Sequence, residues 1–463
     1  MSIFNSDLPI EDISSILKDV KSEIYFIGIL GSGMYPLAQL LSGRGYKVSG
    51  SDRNAPKRPC VDGHGIFISR GDGTIRGAGL AVYSLAIDEG DAEILLARSL
   101  GIPLISRAQL LGALMRDYPE SVSVSGSHGK STVTALIDHI LSVSGNPHTT
   151  VSGATLSSGE RFTDGGEIFI AEACEYKNSF LRLAPTYQLI TSVELDHTDY
   201  FATVDDVRAS FLLAAKRAPC TIINIDDELA SGICRELKAL ADNSADVITY
   251  GYSADADYRI SDARRMGEIT FFEINTKDKC FRLATKLIGG FNLYNVAAAV
   301  SVADMLGVPI SDIEEAISDF QSIERRLSLI SRINGVPIYY DYAHHPSEIS
   351  AVIDALKERH GSLTVIFRPH TYSRTKSLWN EFITALSKAN FTILLDIYPA
   401  REKYIDGVSS KELAKSIKNC ICANPLCAAE LAVSYHTDAI ALLGAGEVDG
   451  VKSDLLKLGK TKE

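Results

Sequence analysis

The run Val124-Ser125-Gly126-Ser127-His128-Gly129-Lys130-Ser131-Thr132 constrains this chain more than any other stretch. An apolar alternation over Val122 to Val124 leads into it, and a helical pattern follows from Val133 to Leu141. Strand, glycine turn, lysine and helix together make a phosphate cradle. Backbone N–H groups point into such a turn, and the helix N-terminus adds positive potential. Lys130 can reach terminal phosphates and the Ser131 hydroxyl can ligate Mg²⁺. Gly126, Ser127, His128, Gly129 and Thr132 complete the cradle, so use of a nucleoside triphosphate is expected. The strict loop pattern asks for a glycine where Val124 stands. The rest of the chain must therefore support the reading.

Short apolar runs alternate with helical stretches nearly throughout, which predicts an α/β fold of parallel sheets with crossover helices. A length of 463 residues leaves room for two to four domains, at about 100–200 residues each. Breaks near Arg116–Glu120 and Phe320–Glu324 predict three, at 1–118, 119–323 and 324–463. The first opens with a strand at Ile24–Ile27, a turn at Gly28-Ile29-Leu30-Gly31-Ser32-Gly33-Met34, and a helix from Pro36 through Leu41. A strand at Lys47–Gly50 then ends at Asp52. This unit suits a pyrophosphate at the helix start and a ribose hydroxyl on Asp52. Pro36 stands where the last glycine of the dinucleotide fingerprint would be, which disfavours a nicotinamide cofactor. Further strands are expected at Pro337–Tyr340, Leu363–Phe367 and Phe391–Leu395.

The net charge of −12 argues against nucleic acid as a partner, because such binding wants a basic face. It leaves anionic substrates open, since local cations and helix ends can make a positive cleft. No apolar run reaches the length of about 18 residues that a membrane span needs. The polar, acidic start is no signal peptide, so the cytoplasm is the expected compartment. The eight cysteines lack the paired spacing of a zinc site and read as small buried thiols.

Two more central strands end in metal-type ligands. Glu167–Ala171 runs into Glu172, and Tyr187–Thr191 leads on to Asp196-His197. In a parallel sheet, ligand-binding groups gather at the carboxyl ends of strands, so Ser131, Glu172 and His197 can converge on one rim. Hard oxygen donors suit Mg²⁺, and the histidine would fit a second ion. Taken singly, each is an ordinary strand-end or loop residue; their order along the chain is what favours a site. The third unit adds Arg325-Arg326, Asp341-Tyr342-Ala343-His344-His345-Pro346 and Arg368-Pro369-His370-Thr371-Tyr372-Ser373-Arg374 at strand ends. Arginine there suits phosphate or carboxylate contacts.

These residues resemble the Mur ligases over almost the whole chain. Gly28–Met34 resembles the family's UDP-binding loop, and Ser84–Ile87 and Ile102–Ala108 resemble its later N-terminal segments. Gly126–Thr132 is similar to its Gly-Thr-His-Gly-Lys-Thr-Thr loop, which accounts for the missing early glycine. Glu172-Ala173-Cys174-Glu175 and Asp196-His197-Thr198-Asp199 resemble its two metal-ligand segments. The resemblance implies an N-terminal Rossmann-like UDP-binding domain, a central P-loop domain and a C-terminal Rossmann-like domain. It implies substrate contacts at Gly31, Ser32, Gly33, Met34, Asp52, Ser84 and Arg107. ATP contacts are implied at Asn292, Asn295, Arg326, Asp341 and Tyr342, and two Mg²⁺ on Ser131, Glu172 and His197. Lys130, Arg326, His344 and Arg374 are the implied catalytic residues. The implied reaction joins L-alanine to the carboxylate of UDP-N-acetylmuramate through an acyl phosphate, with domain closure, by a monomer or a homodimer. A ligase joining a preformed peptide to the same sugar, or a non-catalytic protein binding it, are the alternatives. Phe291, Lys177 and Thr371 depart from the family's pattern.

Overall fold

The structure is a computed structural model that describes residues 10–20, 22–71, 74–197, 200–239, 246–400, 402–445 and 448–460. Thr198 and Asp199 of the histidine segment, and most of the polar start, lie outside them. The chain divides into two compact units. One holds residues 1–266, 271–285 and 294–320, and the other holds 267–270, 286–293 and 321–463.

The first unit contains two sheets. In the six-stranded sheet Glu23–Ile27 lies between Val48–Ser51 and Ala78–Tyr83, both parallel to it. The strand order therefore reverses beside the first glycine turn, the place where open α/β sheets bind ligands. In the ten-stranded sheet Glu120–Ser125 lies between Ile168–Glu172 and Tyr187–Ile190, again parallel. The lysine loop thus also leaves a switch point, with Glu172 ending the strand on one side and Thr191 following the strand on the other. The helix Lys130–Val143 buries most of its residues because it also packs against the helix Ile310–Asp319. A continuous apolar core runs from Ile24 and Phe26 through Phe169 and Ala171 to Phe211.

The expectation of parallel sheets fails at the edges. Cys60–Val61, Phe162–Thr163 and Ser328–Ile333 each pair antiparallel with their neighbours. Beyond Asp246–Gly251 the central sheet continues through Tyr258–Met266, Ile269–Asn275 and Cys280–Thr285. The link between the first two of these strands is too short for a crossover helix, so it can only make a hairpin.

In the second unit the sheet order places Val336–Asp341 beside Ala439–Leu443, followed by Leu363–Phe367, Phe391–Leu394 and Cys420–Cys422, all parallel. The segments Arg325–Leu327, Tyr342–His345 and Arg368–Arg374 meet one rim of this sheet. The helix Pro346–His360 starts there, with proline in its first turn. Its capping box is closed by His345 and Glu348, a device worth about 1 kcal/mol. All eight cysteines are free thiols.

Candidate active site

The lysine loop is held by geometry that only glycine satisfies at two points. Gly126 has φ +136° and faces Thr191 and Ser192; Gly129 has φ +82° and packs on the Asn295 carboxamide. A Cβ at either position would collide with these neighbours as well as strain the backbone. Asn295, implied by the resemblance to contact ATP, therefore lies directly against the loop. The loop is also tied to the neighbouring strand end. Ser127 N–H donates to the Ser192 carbonyl at 2.8 Å, and His128 N–H to the Ser192 hydroxyl at 3.1 Å. Glu194 N–H donates back to the Ser127 hydroxyl at 2.8 Å. The amides of Ser127 and His128 thus bind protein, and the helix start at Lys130–Thr132 follows directly after them.

Two carboxylates sit beside that helix start in different company. Glu172 accepts hydrogen bonds from the Ser131 hydroxyl at 3.1 Å, the Ser152 hydroxyl at 2.7 Å and the Gly153 N–H at 3.0 Å. A hydroxyl and a carboxylate in contact form the hard-oxygen donor set that Mg²⁺ prefers, so Ser131 and Glu172 fit one ion. Glu175 instead lies 3.1 and 3.2 Å from Lys130 Nζ through its two oxygens. His197 Nε2 is 3.7 Å from Glu175 Oε1. His197 therefore pairs with Glu175, and an imidazole beside a carboxylate fits a second ion. Lys130 also donates to the carbonyls of Gly126 and Ser127. Burial works against its charge, but Glu175, Cys174 and Glu172 outweigh burial and hold the ammonium above its ordinary range. Sequence reasoning gave Glu175 no role. Its signals were its place three residues beyond the strand-end glutamate and its inclusion in the Glu172-Ala173-Cys174-Glu175 segment.

The first glycine turn is built differently. Gly28 has φ +80°, and a Cβ there would lie 2.8 Å from Ile87. Asp52 accepts from Leu30 N–H at 3.2 Å and Asn54 N–H at 2.9 Å. Its carboxylate thus braces the turn. Arg107 lies across Gly33, 3.0 Å from where a Cβ would be. Ser84 accepts from Ala86 N–H at 3.3 Å. Met34 is only 1% exposed and donates its N–H to Gly31. Its side chain fills the core. Lys177, one of the departures, has φ +51° and donates to the Leu85 carbonyl at 3.1 Å. It ties the segment after Glu175 to the segment after Ser84.

In the second unit Asp341 shapes its surroundings from within. It accepts from Leu327 N–H at 2.6 Å and Ala343 N–H at 2.7 Å. Burial pushes its carboxyl up to about 6, although Arg326 and these two N–H groups pull it down. With one N–H on each oxygen, Asp341 positions the neighbouring turn. That turn carries Arg325 at φ +63° and Leu327 at φ +49°. Arg325 and Arg326 lie over the Tyr342 ring at 4.6 and 5.4 Å. His344 Nδ1 faces the Tyr342 carbonyl at 3.1 Å and Glu348 at 3.4 Å. Two acceptors there suit an N–H on Nδ1, the tautomer that leaves the lone pair on Nε2. The His344 and His370 rings are 6.0 Å apart, and Arg374 meets His370 at 3.4 Å. Asn292 donates to the Ile288 carbonyl at 2.8 Å.

Three family models match in succession: "Mur ligase family, catalytic domain" over residues 23–119, "Mur ligase middle domain" over 124–303, and "Mur ligase, glutamate ligase domain" over 325–448. The UDP-N-acetylmuramate–L-alanine ligase of Clostridium novyi (strain NT) is 35% identical over 451 residues, covering 94% of this chain and 97% of that one. The solved UDP-N-acetylmuramate-alanine ligase of Thermotoga maritima aligns with a TM-score of 0.78 at 22% identity, over 96% and 100% of the two chains. A murein peptide ligase from Psychrobacter arcticus 273-4 aligns at 0.71 and 20% identity, over 94% and 98%. At these identities the two structures speak for the fold.

Proposed function

The chain is a member of the Mur ligase family and an ATP-dependent ligase, and from that premise we propose that it joins L-alanine to the carboxylate of UDP-N-acetylmuramate. We assign this step to cytoplasmic peptidoglycan precursor synthesis. The observation that carries the proposal is the placement of Lys130, Ser131 and Glu172 at one helix start on a sheet switch point.

A carboxylate is a poor acylating agent at neutral pH. In the proposed first step, a carboxylate oxygen of the sugar attacks the γ-phosphorus of ATP. The bridging P–O bond breaks, and ADP leaves with that electron pair. Two anions must meet, so fixed positive charge is needed where charge develops. Lys130 supplies it, and Arg326 is assigned the γ-phosphate. Mg²⁺ on Ser131 with Glu172, and a second ion on His197, would supply further charge neutralisation when bound. In the second step the amine of L-alanine attacks the acyl carbon, and inorganic phosphate departs. The attacking nitrogen must lose a proton, which a positioned base can take. His344 is assigned that task through Nε2, and Arg374 the alanine carboxylate. Asn292 and Asn295 are assigned to adenine, and Tyr342 to the nucleotide face.

Gly31, Ser32, Gly33, Ser84 and Arg107 are assigned to the UDP end, with Asp52 on the ribose. Remote binding there converts affinity into orientation of the reacting carboxylate. We accordingly assign 1–118 to the UDP substrate, 119–323 to ATP and metal, and 324–463 to the amino acid.

The test is phosphate release from ATP with Mg²⁺ and UDP-N-acetylmuramate, each amino acid being added in turn. Release that requires both the UDP-sugar and L-alanine, with an amide product by mass, is expected. Release only with a preformed peptide would replace this reading by the peptide ligase.

A further inference from the structure

We propose that Glu175 sets the metal dependence of nucleotide binding. Its buried carboxylate opposes nucleotide that arrives without a divalent cation and favours nucleotide that carries one. The inference rests on the nucleotide reading of the lysine loop.

Glu175 follows the strand Ile168–Glu172 and turns back beneath the loop. Its side chain is 5% exposed, against 19% for Lys130. A charge this enclosed calls for a partner. It has Lys130 on one side, through both oxygens, and His197 on the other. The group meant to receive terminal phosphates is therefore already neutralised by an internal anion.

The sign of the interaction depends on what arrives. Metal-free nucleotide brings only negative charge. It must separate Lys130 from its partner and then sit near that partner, where low dielectric strengthens the repulsion. Nucleotide carrying a divalent cation brings positive charge toward the same carboxylate, and repulsion becomes attraction. Glu172 differs in its partners: two hydroxyls and an amide meet its oxygens, whereas Glu175 holds the lysine itself. Two acids three residues apart thus differ in place: Glu172 stands with Ser131 in a ligand set, and Glu175 occupies the lysine that arriving phosphates must claim.

The experiment measures ADP affinity by calorimetry in excess Mg²⁺ and in excess chelator, for the wild-type chain, Glu175→Gln and Glu175→Asp. Glu175→Gln removes the charge at nearly constant volume. It is expected to tighten metal-free ADP binding by about tenfold, the scale of one buried like charge, and to weaken Mg-ADP binding. The ratio of the two affinities should contract from both ends. Glu175→Asp draws the carboxylate back from Nζ and should move the ratio the same way by a smaller factor, so the test survives if the glutamine variant does not fold. A ratio unmoved in either folded variant overturns the proposal. Wild-type protein that binds ADP in neither buffer would instead overturn the nucleotide reading beneath it.

Discussion

The two glycine turns of the first unit share a plan and differ in their charges. Each leaves the carboxyl end of a strand at a switch point, and each contains a glycine with φ near +80°, Gly28 and Gly129. The first has no lysine of its own. Its acid, Asp52, is engaged with the turn's own backbone, and its cation, Arg107, comes from a different element. The second carries Lys130 within the turn and brings Glu172, Glu175 and His197 around it. Holding a pyrophosphate needs donors and one steady cation. Transferring a phosphoryl group needs charge at the reacting oxygens and a means of offsetting it as it moves. On the function proposed above, the contrast in charge density is the difference between a handle and a reaction centre.

Removing Lys130 is the strongest way to break this contrast. Lys130→Ala should lower turnover by about a thousandfold, the scale of one lost transition-state donor, and leave UDP-sugar binding intact. Retained UDP-sugar binding also controls for folding, since the substitution strips Glu175 of its partner. Wild-type phosphate release from this variant would remove Lys130 from the chemistry altogether.

Arg107 gives the next largest effect, on the other turn. Loss of one charge-assisted contact is worth about 1.5–3 kcal/mol. Arg107→Ala should accordingly raise the KM for the UDP-sugar by roughly tenfold to a hundredfold, with ADP affinity unchanged. Equal loss of ADP affinity would mean that the two turns are coupled, and the division into handle and reaction centre would fail.

Much of this was legible in the chain. Both strand–turn–helix units follow from apolar alternation, glycine spacing and the helical period after Lys130. Glu172 and His197 could be picked out because each follows a strand-like run. Glu175 stood in the same segment, but its pairing was hidden, because Lys130 lies 45 residues earlier in sequence and is adjacent only after folding. The bracing role of Asp341 was hidden for the same reason: an acid ending a strand looks alike whether it faces a ligand or binds Leu327 and Ala343. Met34 is the converse case: it stands inside a ligand-loop motif, yet its apolar side chain belongs to the core. Likewise, the central sheet's hairpin extension carries strand-like patterning without the intervening helix that the alternating rule anticipates.

Asp52 provides the smallest and most discriminating effect. Its carboxylate already accepts two backbone N–H groups, yet an ionised carboxylate has about four acceptor positions. It can therefore brace the turn and still receive a ribose hydroxyl. The two roles separate by measurement. The brace alone predicts that Asp52→Ala lowers stability by about 1 kcal/mol and leaves the UDP-sugar KM nearly unchanged. The double role predicts the same loss of stability with the KM raised by about tenfold, since a hydroxyl-to-carboxylate bond is lost as well. The double role is the expected result. Uridine lacking the 2′ and 3′ hydroxyls, tested as a competitor, isolates the second term: wild-type protein should discriminate against it, and Asp52→Ala should not. If both proteins discriminate equally, Asp52 serves only the turn, and the first site recognises its ligand through Arg107 and the helix start alone.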